Sequence, residues 1–238
     1  MQAFSPSEAA LLNAVDAAPM LEQVQTWSAI NTGTGNMAGL AKQVAELADA
    51  FAALPGEIAL EEPAAVAAIS ASGAEFPVEY GKHLVLRVRP EAERRFLLTG
   101  HMDTVFPASH PFQQQTWLDE VTLNGPGTAD MKGGIAVILA ALKAFETSDA
   151  AAKTGYDVLI NADEETGSLS SAPLIAQLAQ GKAAALTYEP SALPDGTLAG
   201  ARAGSGNWSL TVRGRSAHAG RNPDDGRNAL VAAAALAL

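Results

Sequence analysis

Acidic and imidazole side chains follow several short apolar stretches of this sequence, at points where strands or turns are predicted to end. His101 and Asp103 stand just after the apolar residues 96–98, and Gly100 bounds that run as at the end of a buried strand. The carboxylates that stand at comparable points further along the chain are Asp130, Glu164, Glu165 and Glu189. Because ligands bind outside the carboxyl ends of strands in open α/β sheets, we expect these side chains to form one site.

Metal binding is the chemistry that suits such a cluster. Carboxylates gathered at one edge repel one another and raise one another's pKa unless cations neutralise them. The sequence has no cysteine, so His, Asp and Glu must supply the ligands, a donor set that suits zinc, or manganese or cobalt less specifically. Two such metals, roughly 3.5–4 Å apart and joined by a bridging carboxylate, can generate hydroxide and polarise a carbonyl group. The alternatives for these residues are a polar loop after a core strand and a solvated acidic turn.

Glu164 and Glu165 are adjacent, and adjacent residues on a regular strand face opposite sides of the sheet. Both can serve one site only where the strand breaks into a loop, and the Thr-Gly-Ser sequence at residues 166–168 predicts such a break. One carboxylate could then bind a metal while its neighbour acts as a general base. In a similar way, Asp103 can accept the second imidazole N–H of His101 and so fix the tautomer of a metal-binding histidine.

Composition argues against several other classes of function. The chain has 238 residues and a formal net charge of −11, which disfavours nucleic acid and an anionic membrane surface as partners. The N-terminal region lacks a basic start followed by an apolar core, so we expect no signal peptide. No uninterrupted apolar run approaches the roughly 20 residues that span a bilayer. We therefore predict a soluble, cytoplasmic protein.

The elements that must position the site alternate between strands and helices, which indicates an α/β fold with a mostly parallel sheet flanked by helices. Strands are predicted at 57–61, 83–89, 95–100, 156–162, 183–188 and 207–213. Helices are predicted within 7–53 on both sides of the turn-rich residues 31–36, at 131–146, at 171–180 and from 222 onwards. The glycine-rich residues 199–206 are a plausible hinge between domains.

Successive sequence blocks resemble the motifs of the zinc-dependent aminoacylase and carboxypeptidase family, in the order of that family. The blocks are GHMDT, GPGTADMKGG, NADEETGS, YEP and GRSAHAGRNPDDGRNA. The family includes glutamate carboxypeptidase, acetylornithine deacetylase and succinyl-diaminopimelate desuccinylase, and NTGTGN with GRSAHAG is most similar to the glutamate carboxypeptidase branch. The resemblance implies a co-catalytic zinc peptidase fold, with a catalytic domain at 1–203 and the first strand and helix of a ferredoxin-like lid and dimerisation domain at 204–238.

The resemblance also implies a role for each residue of the cluster. His101 and Glu189 would bind one metal, Asp130 would bridge both, and Glu165 would bind the second. The cofactors would be two Zn²⁺ ions, with Co²⁺ or Mn²⁺ as substitutes. Glu164 would be the general base that activates a metal-bridging water.

Further residues receive roles in the same way. Asp103 would orient His101, and His218 would reach the active site of the partner subunit in a homodimer, where it would stabilise the oxyanion. The peptide bond between Asp130 and Met131 would be cis. Gly133 and Gly134 would let the backbone pass tightly behind the bridging carboxylate.

The sequence departs from the family pattern in one respect. The second metal of the family takes a further histidine from late in the chain, whereas His83 and His110 here are better explained as structural and surface residues. We therefore expect the chain to correspond to the first part of a family member, to bind about one zinc and to be inactive by itself. Arg202, Arg215 and Arg221 are nearby charges that could meet a substrate carboxylate, although we expect them to be solvated.

Three interpretations of function follow. The leading one is a metal-dependent hydrolase of amide bonds in N-acyl amino acids or small peptides. The second is a non-catalytic metal-binding or dimer-forming protein that has lost a ligand. The third, a flavodoxin-like binding domain, would explain the sheet but not the acidic cluster, and the sequence has no glycine-rich phosphate loop after its first strand.

Overall fold

The computed structural model describes residues 4–193, 195–197, 200–201, 204, 206 and 208–237. The chain divides into two units, one comprising Met1–Val66 and Glu79–Leu198, the other Ala67–Val78 and Ala199–Leu238. The helices are α1 (Pro6–Asn13), α2 (Ala18–Ser28), α3 (Met37–Phe51), α4 (Gly134–Phe145), α5 (Ala172–Ala179) and α6 (Ala229–Ala237). The strands are β1 (Glu57–Glu61), β2 (Val66–Ile69), β3 (Glu75–Val78), β4 (His83–Val88), β5 (Arg94–His101), β6 (Thr116–Trp117), β7 (Leu123–Asn124), β8 (Thr154–Asn161) and β9 (Ala184–Thr187).

The first unit is built around a mixed sheet whose strand order is β1-β4-β8-β5-β9. The strands β8, β5 and β9 run parallel, whereas β1 pairs antiparallel with β4, and β4 pairs antiparallel with β8. Both β4 and β8 are buried along nearly their whole length, which explains the consecutive apolar residues at 84–86 and 158–160. The α/β class predicted from the sequence is confirmed, and the antiparallel pairings make the sheet mixed.

The helices α3 and α4 supply much of the core that packs on this sheet. In α3 the buried side chains recur at helical spacing, and the Asn36 side chain accepts the backbone N–H of Gly39 to cap the first turn. In α4 the large apolar side chains at helical spacing from Ile135 to Leu142 are buried, and Phe145 is half-buried. Burial of each large side chain stabilises the fold by about 1.5–3 kcal/mol. The side chains concerned are Leu40, Val44, Leu47 and Phe51 of α3 and Ile135, Ile138, Leu139 and Leu142 of α4.

Some elements differ from the sequence-based predictions. The N-terminal region forms α1, α2 and α3 rather than two helices, because residues 14–17 interrupt the first pattern. The short pairs β2–β3 and β6–β7 were not predicted, since strands of two to four residues carry too little periodicity. The prediction of a strand at 207–213 is wrong for the described residues 208–213, which do not pair with any strand. A strand needs partners for its backbone groups, and these residues have none among the described ones.

The second unit consists of short elements. It holds most of the β2–β3 pair, a helical turn at Pro223–Asp225 and the helix α6. An antiparallel bridge joins Arg215 to Arg227, and the Arg213 side chain donates to the carbonyl of Gly73 at 3.3 Å. The apolar side chains of α6 are exposed, Leu230 by 79%. The ferredoxin-like lid and the domain boundary at 203 therefore stay predictions.

A candidate metal centre

Three parallel strands carry the predicted ligands to one edge of the sheet. In the sheet, β5 lies between β8 and β9, and its last residue, His101, is level with Asn161 at the end of β8. Glu164 and Glu165 lie in a short helical turn directly after β8, and Glu189 follows β9 by two residues. The carboxyl ends of these strands meet, as expected for a ligand site in an α/β sheet.

His101 lies at the centre of the cluster and its side chain is buried. Its Nδ1 lies 3.1 Å from the backbone carbonyl of Asp103 and 3.4 Å from Oδ1 of the same residue. Both atoms are acceptors, so the proton of a neutral ring belongs on Nδ1, and the lone pair of Nε2 is left for a ligand. Nε2 lies 3.0 Å from Asp130 Oδ1, 3.6 Å from Glu189 Oε1 and 3.8 Å from Glu164 Oε2.

Two sets of side chains offer ligand atoms that lie within 4.8 Å of one another. One set is His101, Asp130 and Glu165, and the other is His101, Glu164 and Glu189. Two atoms bound to one tetrahedral zinc at about 2.0–2.2 Å are about 3.3–3.6 Å apart. The distances of 3.0, 3.6 and 3.8 Å from His101 Nε2 to the carboxylates of Asp130, Glu189 and Glu164 are close to that spacing. An imidazole with oxygen donors and no sulfur suits zinc, manganese or cobalt. The residues therefore fit a divalent metal.

Asp130 reaches the cluster from an irregular turn that precedes α4. The peptide bond between Asp130 and Met131 is cis, as predicted. Behind it the backbone is tightly packed, because a Cβ atom on Gly133 would lie 2.5 Å from the carbonyl oxygen of Thr128. A Cβ on Gly134 would lie 2.1 Å from the carbonyl oxygen of Tyr188, the residue before Glu189. Glycine at 134 thus allows the Asp130 turn and the Glu189 segment to approach each other.

Besides facing His101, Asp103 binds the turn that carries Glu164 and Glu165. Its carboxylate is fully buried and accepts hydrogen bonds from the backbone N–H groups of Glu164 at 3.1 Å and Glu165 at 3.2 Å. These N–H groups begin a helical turn and have no partner within it. The Thr34 hydroxyl donates to Asp103 Oδ2 at 2.8 Å. The Thr34 contact was not predicted from the sequence, where NTGTGN indicated a turn-rich loop and a family resemblance but no bond to Asp103.

The turn that carries the two glutamates is held from its other side by Asp163. Its carboxylate accepts the Ser170 hydroxyl at 2.8 Å and the backbone N–H groups of Ser170 and Ser171. Burial alone would raise the pKa of Asp163, but the hydrogen bonds from Ser171 and Ser170 lower it. The Asn161 amide also donates to this carboxylate, at 3.1 Å. Left-handed backbone at Gly167, with a φ of 96°, lets the chain turn back, which agrees with the break predicted at 166–168.

His83 is a structural residue beside this turn, as the sequence analysis proposed. It is fully buried, and its Nδ1 accepts the backbone N–H of Ala162 at 3.3 Å. Its Nε2 lies 3.4 Å from the Ser170 hydroxyl, which donates its own proton to Asp163. Nε2 must therefore carry the ring proton and donate it to Ser170. Burial lowers the pKa of His83, despite the opposing charges of Asp163 and Asp103.

The pKa values of the cluster are displaced by mutual charge and burial. Burial alone would lower the pKa of His101, but hydrogen bonds and charges from Asp103 and Glu189 raise it to about 11. Burial, followed by the charges of Asp130 and other carboxylates, raises the pKa of Glu165 to about 7 although His101 opposes the shift. Burial likewise raises the pKa of Glu164. A bound dication would favour the ionised carboxylates and the neutral imidazole.

Lys132 anchors the Asp130 turn to the helix α2. Its ammonium group is buried and donates to the carbonyl oxygens of Trp27 and Ile30, both at 2.9 Å. Burial lowers the pKa of Lys132 to about 7. Carbonyl groups at and just beyond the C-terminal end of a helix carry partial negative charge, which explains why a cation is accommodated there. This residue was not singled out from the sequence, because nothing in MKGG distinguishes a buried lysine from an exposed one.

Other candidates lie elsewhere. His218 belongs to the second unit, where its ring accepts the N–H of Gly220, and its catalytic role stays a prediction. The partly exposed His110 accepts the N–H of Phe112 and packs on the Phe106 ring. Arg215 donates to the carbonyl of Asp225, Arg221 is exposed, and Arg202 lies outside the described residues.

Among the described residues, none of the helices has the length and apolar character required to cross a membrane.

Comparison with known proteins identifies relatives of this arrangement. The model of peptidase family M20/M25/M40 matches residues 97–237. Carboxypeptidase G2 from Pseudomonas sp. (strain RS-16) is 35% identical over 162 residues, which cover 66% of this chain and 38% of that protein. Acetylornithine deacetylase from Proteus mirabilis is 33% identical over 164 residues, covering 65% of this chain and 39% of that protein. The chain thus matches about two fifths of the length of these curated relatives.

Solved structures agree in fold. Human carnosine dipeptidase 1 superposes with a TM-score of 0.59 at 18% identity, covering 78% of this chain and 41% of that one. The M20 family metallo-carboxypeptidase Sso-CP2 from Sulfolobus solfataricus superposes with a TM-score of 0.56 at 14% identity, covering 74% and 38%. At these identities the superpositions establish the fold of the peptidase domain.

Proposed function

The chain belongs to peptidase family M20/M25/M40, and from this premise we propose that the protein is a metal-dependent hydrolase of amide bonds in N-acyl amino acids or small peptides. The observation that carries the proposal is the convergence of the His101 imidazole with four carboxylates, those of Asp130, Glu164, Glu165 and Glu189, at the carboxyl ends of the parallel strands. The names of the relatives support the reaction class, since they are a carboxypeptidase, deacetylases and desuccinylases. Because the chain matches about two fifths of those proteins, the proposal concerns the whole protein that contains these residues.

We assign the metal ligands as the sequence analysis did. His101 and Glu189 would hold one divalent metal, Glu165 would hold a second, and Asp130 would be a ligand of both. Zinc suits this donor set, with cobalt or manganese as substitutes. When bound, two such ions supply Lewis-acid polarisation of the substrate carbonyl and lower the pKa of a water molecule. The short distance from Asp130 Oδ1 to His101 Nε2, 3.0 Å, supports a shared ion at this carboxylate.

Side chains of the protein accept and donate the proton that is transferred during hydrolysis. Glu164 Oε2 lies 3.8 Å from His101 Nε2, so its carboxylate can accept the proton of the attacking water and deliver it to the leaving nitrogen. In the metal-free protein, burial and the neighbouring carboxylates raise the pKa of Glu164, whereas a bound dication would favour the ionised carboxylate that can accept a proton. Asp103 keeps the His101 ring oriented through the Nδ1 side.

The larger assembly is part of the same proposal. Residues 1–203 belong to the catalytic domain, and 204–238 begin a lid through which two copies associate. In that homodimer His218 of each chain serves the site of the other and stabilises the oxyanion. The substrate is an N-acyl amino acid or a dipeptide.

Isothermal titration with zinc, paired with an assay for amino acid release, tests the proposal. The 238-residue chain should bind zinc, and the Asp130→Asn variant should bind it at least tenfold more weakly because the variant loses a charged ligand. Hydrolysis of N-acetyl and N-succinyl amino acids and of dipeptides should be measured on the longest form of the protein that the gene encodes. Absence of zinc, cobalt and manganese binding would refute the metal site. Metal binding without hydrolysis of any of these amides would instead favour the non-catalytic interpretation.

A further inference from the structure

The metal cluster rests on a hydrogen-bonded support that begins in the NTGTGN loop. Within this loop, the half-buried Thr34 donates its hydroxyl proton to Asp103 Oδ2 at 2.8 Å. The loop is fixed to the strand-end segment at other points as well, because Gly33 pairs with Thr104 and the Asn31 amide donates to the carbonyl of Phe106 at 2.9 Å. Thr34 therefore sits on backbone that is already held against the residues after β5.

Both oxygens of the Asp103 carboxylate accept hydrogen bonds. Oδ2 accepts from Thr34 and from the N–H of Glu165, while Oδ1 accepts from the N–H of Glu164 and faces His101 Nδ1 at 3.4 Å. Each oxygen thus has two donors, which matches the two lone pairs that a carboxylate oxygen offers. The plane of the carboxylate is determined only when all of these donors are in place.

The Thr34 bond is the one that does not come from the metal cluster itself. The remaining donors belong to His101 or to the turn with Glu164 and Glu165, all of which move with the ligands they support. Without the Thr34 hydroxyl, Oδ2 would keep a single donor, at 3.2 Å, and the carboxylate would be held only by groups of the cluster that it supports. The N–H groups of both glutamates would then lose a fixed acceptor.

We propose that Thr34 is a positioning residue of the metal site, whose hydroxyl fixes the Asp103 carboxylate and through it the turn that presents Glu164 and Glu165. The inference rests on the proposed function for its consequence in metal binding. Its structural part, the coupling of Thr34 to the glutamate turn, is independent of the metal. Outer residues that orient ligands typically change metal affinity by about 10–100-fold when they are replaced.

The chain offers a matched control in the same loop. Thr32 is also buried, yet its hydroxyl makes no hydrogen bond among the described residues. Thr32→Val and Thr34→Val therefore make the same nearly isosteric change, but only the second removes a bond to Asp103. Thr34→Ser keeps the hydroxyl and should restore the bond.

Zinc titration of the four proteins is the first measurement. Thr34→Val should raise the zinc Kd by about 10–100-fold, whereas Thr32→Val and Thr34→Ser should stay within about threefold of the wild type. The d–d spectrum of the cobalt-loaded Thr34→Val protein should shift in band position, because the ligand geometry changes. An unchanged Kd and spectrum in Thr34→Val, or an equal loss in Thr32→Val or Thr34→Ser, would overturn the inference. Melting temperatures verify that each variant is folded.

Hydrogen exchange without added metal is the second measurement, and it separates this inference from the proposed function. In Thr34→Val the N–H groups of Glu164 and Glu165 should exchange about 3–10-fold faster, in line with the net strength of one hydrogen bond. Unchanged exchange at both residues would overturn the coupling whatever the zinc results are. Faster exchange in a protein that binds no zinc would support the coupling while refuting the metal site.

Discussion

Glu164 and Glu165 are neighbours in the chain, yet they have different partners. Glu164 shares a potential ligand set with Glu189, and Glu165 shares one with Asp130, while His101 belongs to both. The helical turn after β8 makes this divergence possible, because it rotates consecutive side chains by less than the half-turn of a strand. Both glutamates are thus within reach of a metal, but the proposed function makes only Glu165 a ligand and Glu164 the general base, so substitution of the two residues should have separable effects.

We expect Glu164→Gln to leave the metal content nearly unchanged and to lower turnover of an amide substrate by about 10²–10⁴-fold, the contribution of a general base. Glu165→Gln should instead remove a ligand and lower the occupancy of one metal. Metal content measured by atomic absorption, on the same samples used for the assay, checks both statements. An equal loss of metal in the two variants would show that their roles are assigned incorrectly.

His83 makes stability depend on pH. Burial lowers its folded-state pKa below the unfolded value of about 6.5, so the ring is neutral in both states above that pH. As the pH falls below about 6.5, the unfolded chain takes up a proton that the folded chain excludes, and stability decreases. The slope from this one group is at most about 1.4 kcal/mol per pH unit.

His83→Gln isolates this dependence. A glutamine can accept the Ala162 N–H and donate to Ser170 without titrating, so the difference in unfolding free energy between the two proteins should be constant between pH 7 and 8. Below about pH 6.5 the difference should move in favour of the variant. Urea unfolding at several pH values measures it, and parallel curves from pH 7 down to pH 5 would contradict the assignment.

At the scale of elements, α4 is fixed at both of its ends. Its first residue, Gly134, packs against the carbonyl of Tyr188, which precedes Glu189. At its other end, Glu146 accepts two hydrogen bonds from Arg89 after β4, one of them at 3.0 Å, and one from the Tyr156 hydroxyl at 2.9 Å. The first contact positions a ligand segment, and the second ties the helix to the sheet.

Replacing Gly134 by alanine should therefore disturb the metal site as well as the fold. The added methyl group would lie 2.1 Å from a backbone oxygen, a clash that only movement of the Glu189 segment or of the α4 start can relieve. We expect a loss of about 1–3 kcal/mol in unfolding free energy together with weaker zinc binding. Gly35→Ala is the control, since a Cβ atom there meets nothing within 4 Å. Equal behaviour of the two variants would contradict the role of Gly134.

The hydrogen bonds that Arg89 and Tyr156 make to Glu146 should contribute a measurable stabilisation, which the Glu146→Gln variant removes in part. Burial raises the pKa of Glu146, but hydrogen bonds from Arg89 and Tyr156 outweigh it and keep the pKa below its ordinary value. We expect the substitution to cost about 1.5–3 kcal/mol at neutral pH. Because a lowered carboxyl pKa stabilises above the unfolded pKa, this loss should shrink as the pH falls below about 4.5 through the folded pKa.

An exposed ion pair provides the comparison for this prediction. Lys82 and Glu62 are 2.6 Å apart, but their side chains are 50% and 72% exposed, so Glu62→Gln should cost no more than about 1 kcal/mol. Chemical unfolding of both variants at pH 7 gives the two values. If Glu62→Gln and Glu146→Gln lower the unfolding free energy equally, the hydrogen bonds between Arg89 and Glu146 contribute no more than an exposed ion pair.

At the scale of the molecule, the metal cluster links β5, β8, β9 and the start of α4, elements that are distant in sequence. Zinc bound there should stabilise the fold by about 2.7 kcal/mol when free zinc is a hundredfold above its Kd. Thermal unfolding with zinc and with EDTA measures the effect. Magnesium at the same concentration should stabilise much less, because it prefers oxygen ligands in octahedral geometry. An equal zinc effect in Asp130→Asn would place the stabilising ion elsewhere.

The residue types and the local elements could be predicted from the sequence because both depend on neighbours in the chain. The apolar runs before His101, Glu164 and Glu189 predicted the strands, and the helical spacing after Asp130 predicted α4. The resemblance of the motifs identified the family, and it implied the cis peptide bond at Asp130. The short pairs β2–β3 and β6–β7 escaped prediction, since their stability depends on a partner strand rather than on local periodicity.

Only the tertiary structure decided which side chains support the cluster. Thr34 and Asp103 are 69 positions apart, and Lys132 donates to carbonyls more than 100 positions away, so no pattern within either segment reveals these bonds. The same holds for His83, whose tautomer is determined by Ala162 and Ser170. Ligand types can be recognised locally because a metal demands particular donors. The groups that orient those ligands are selected by distance and burial, which exist only after the chain has folded.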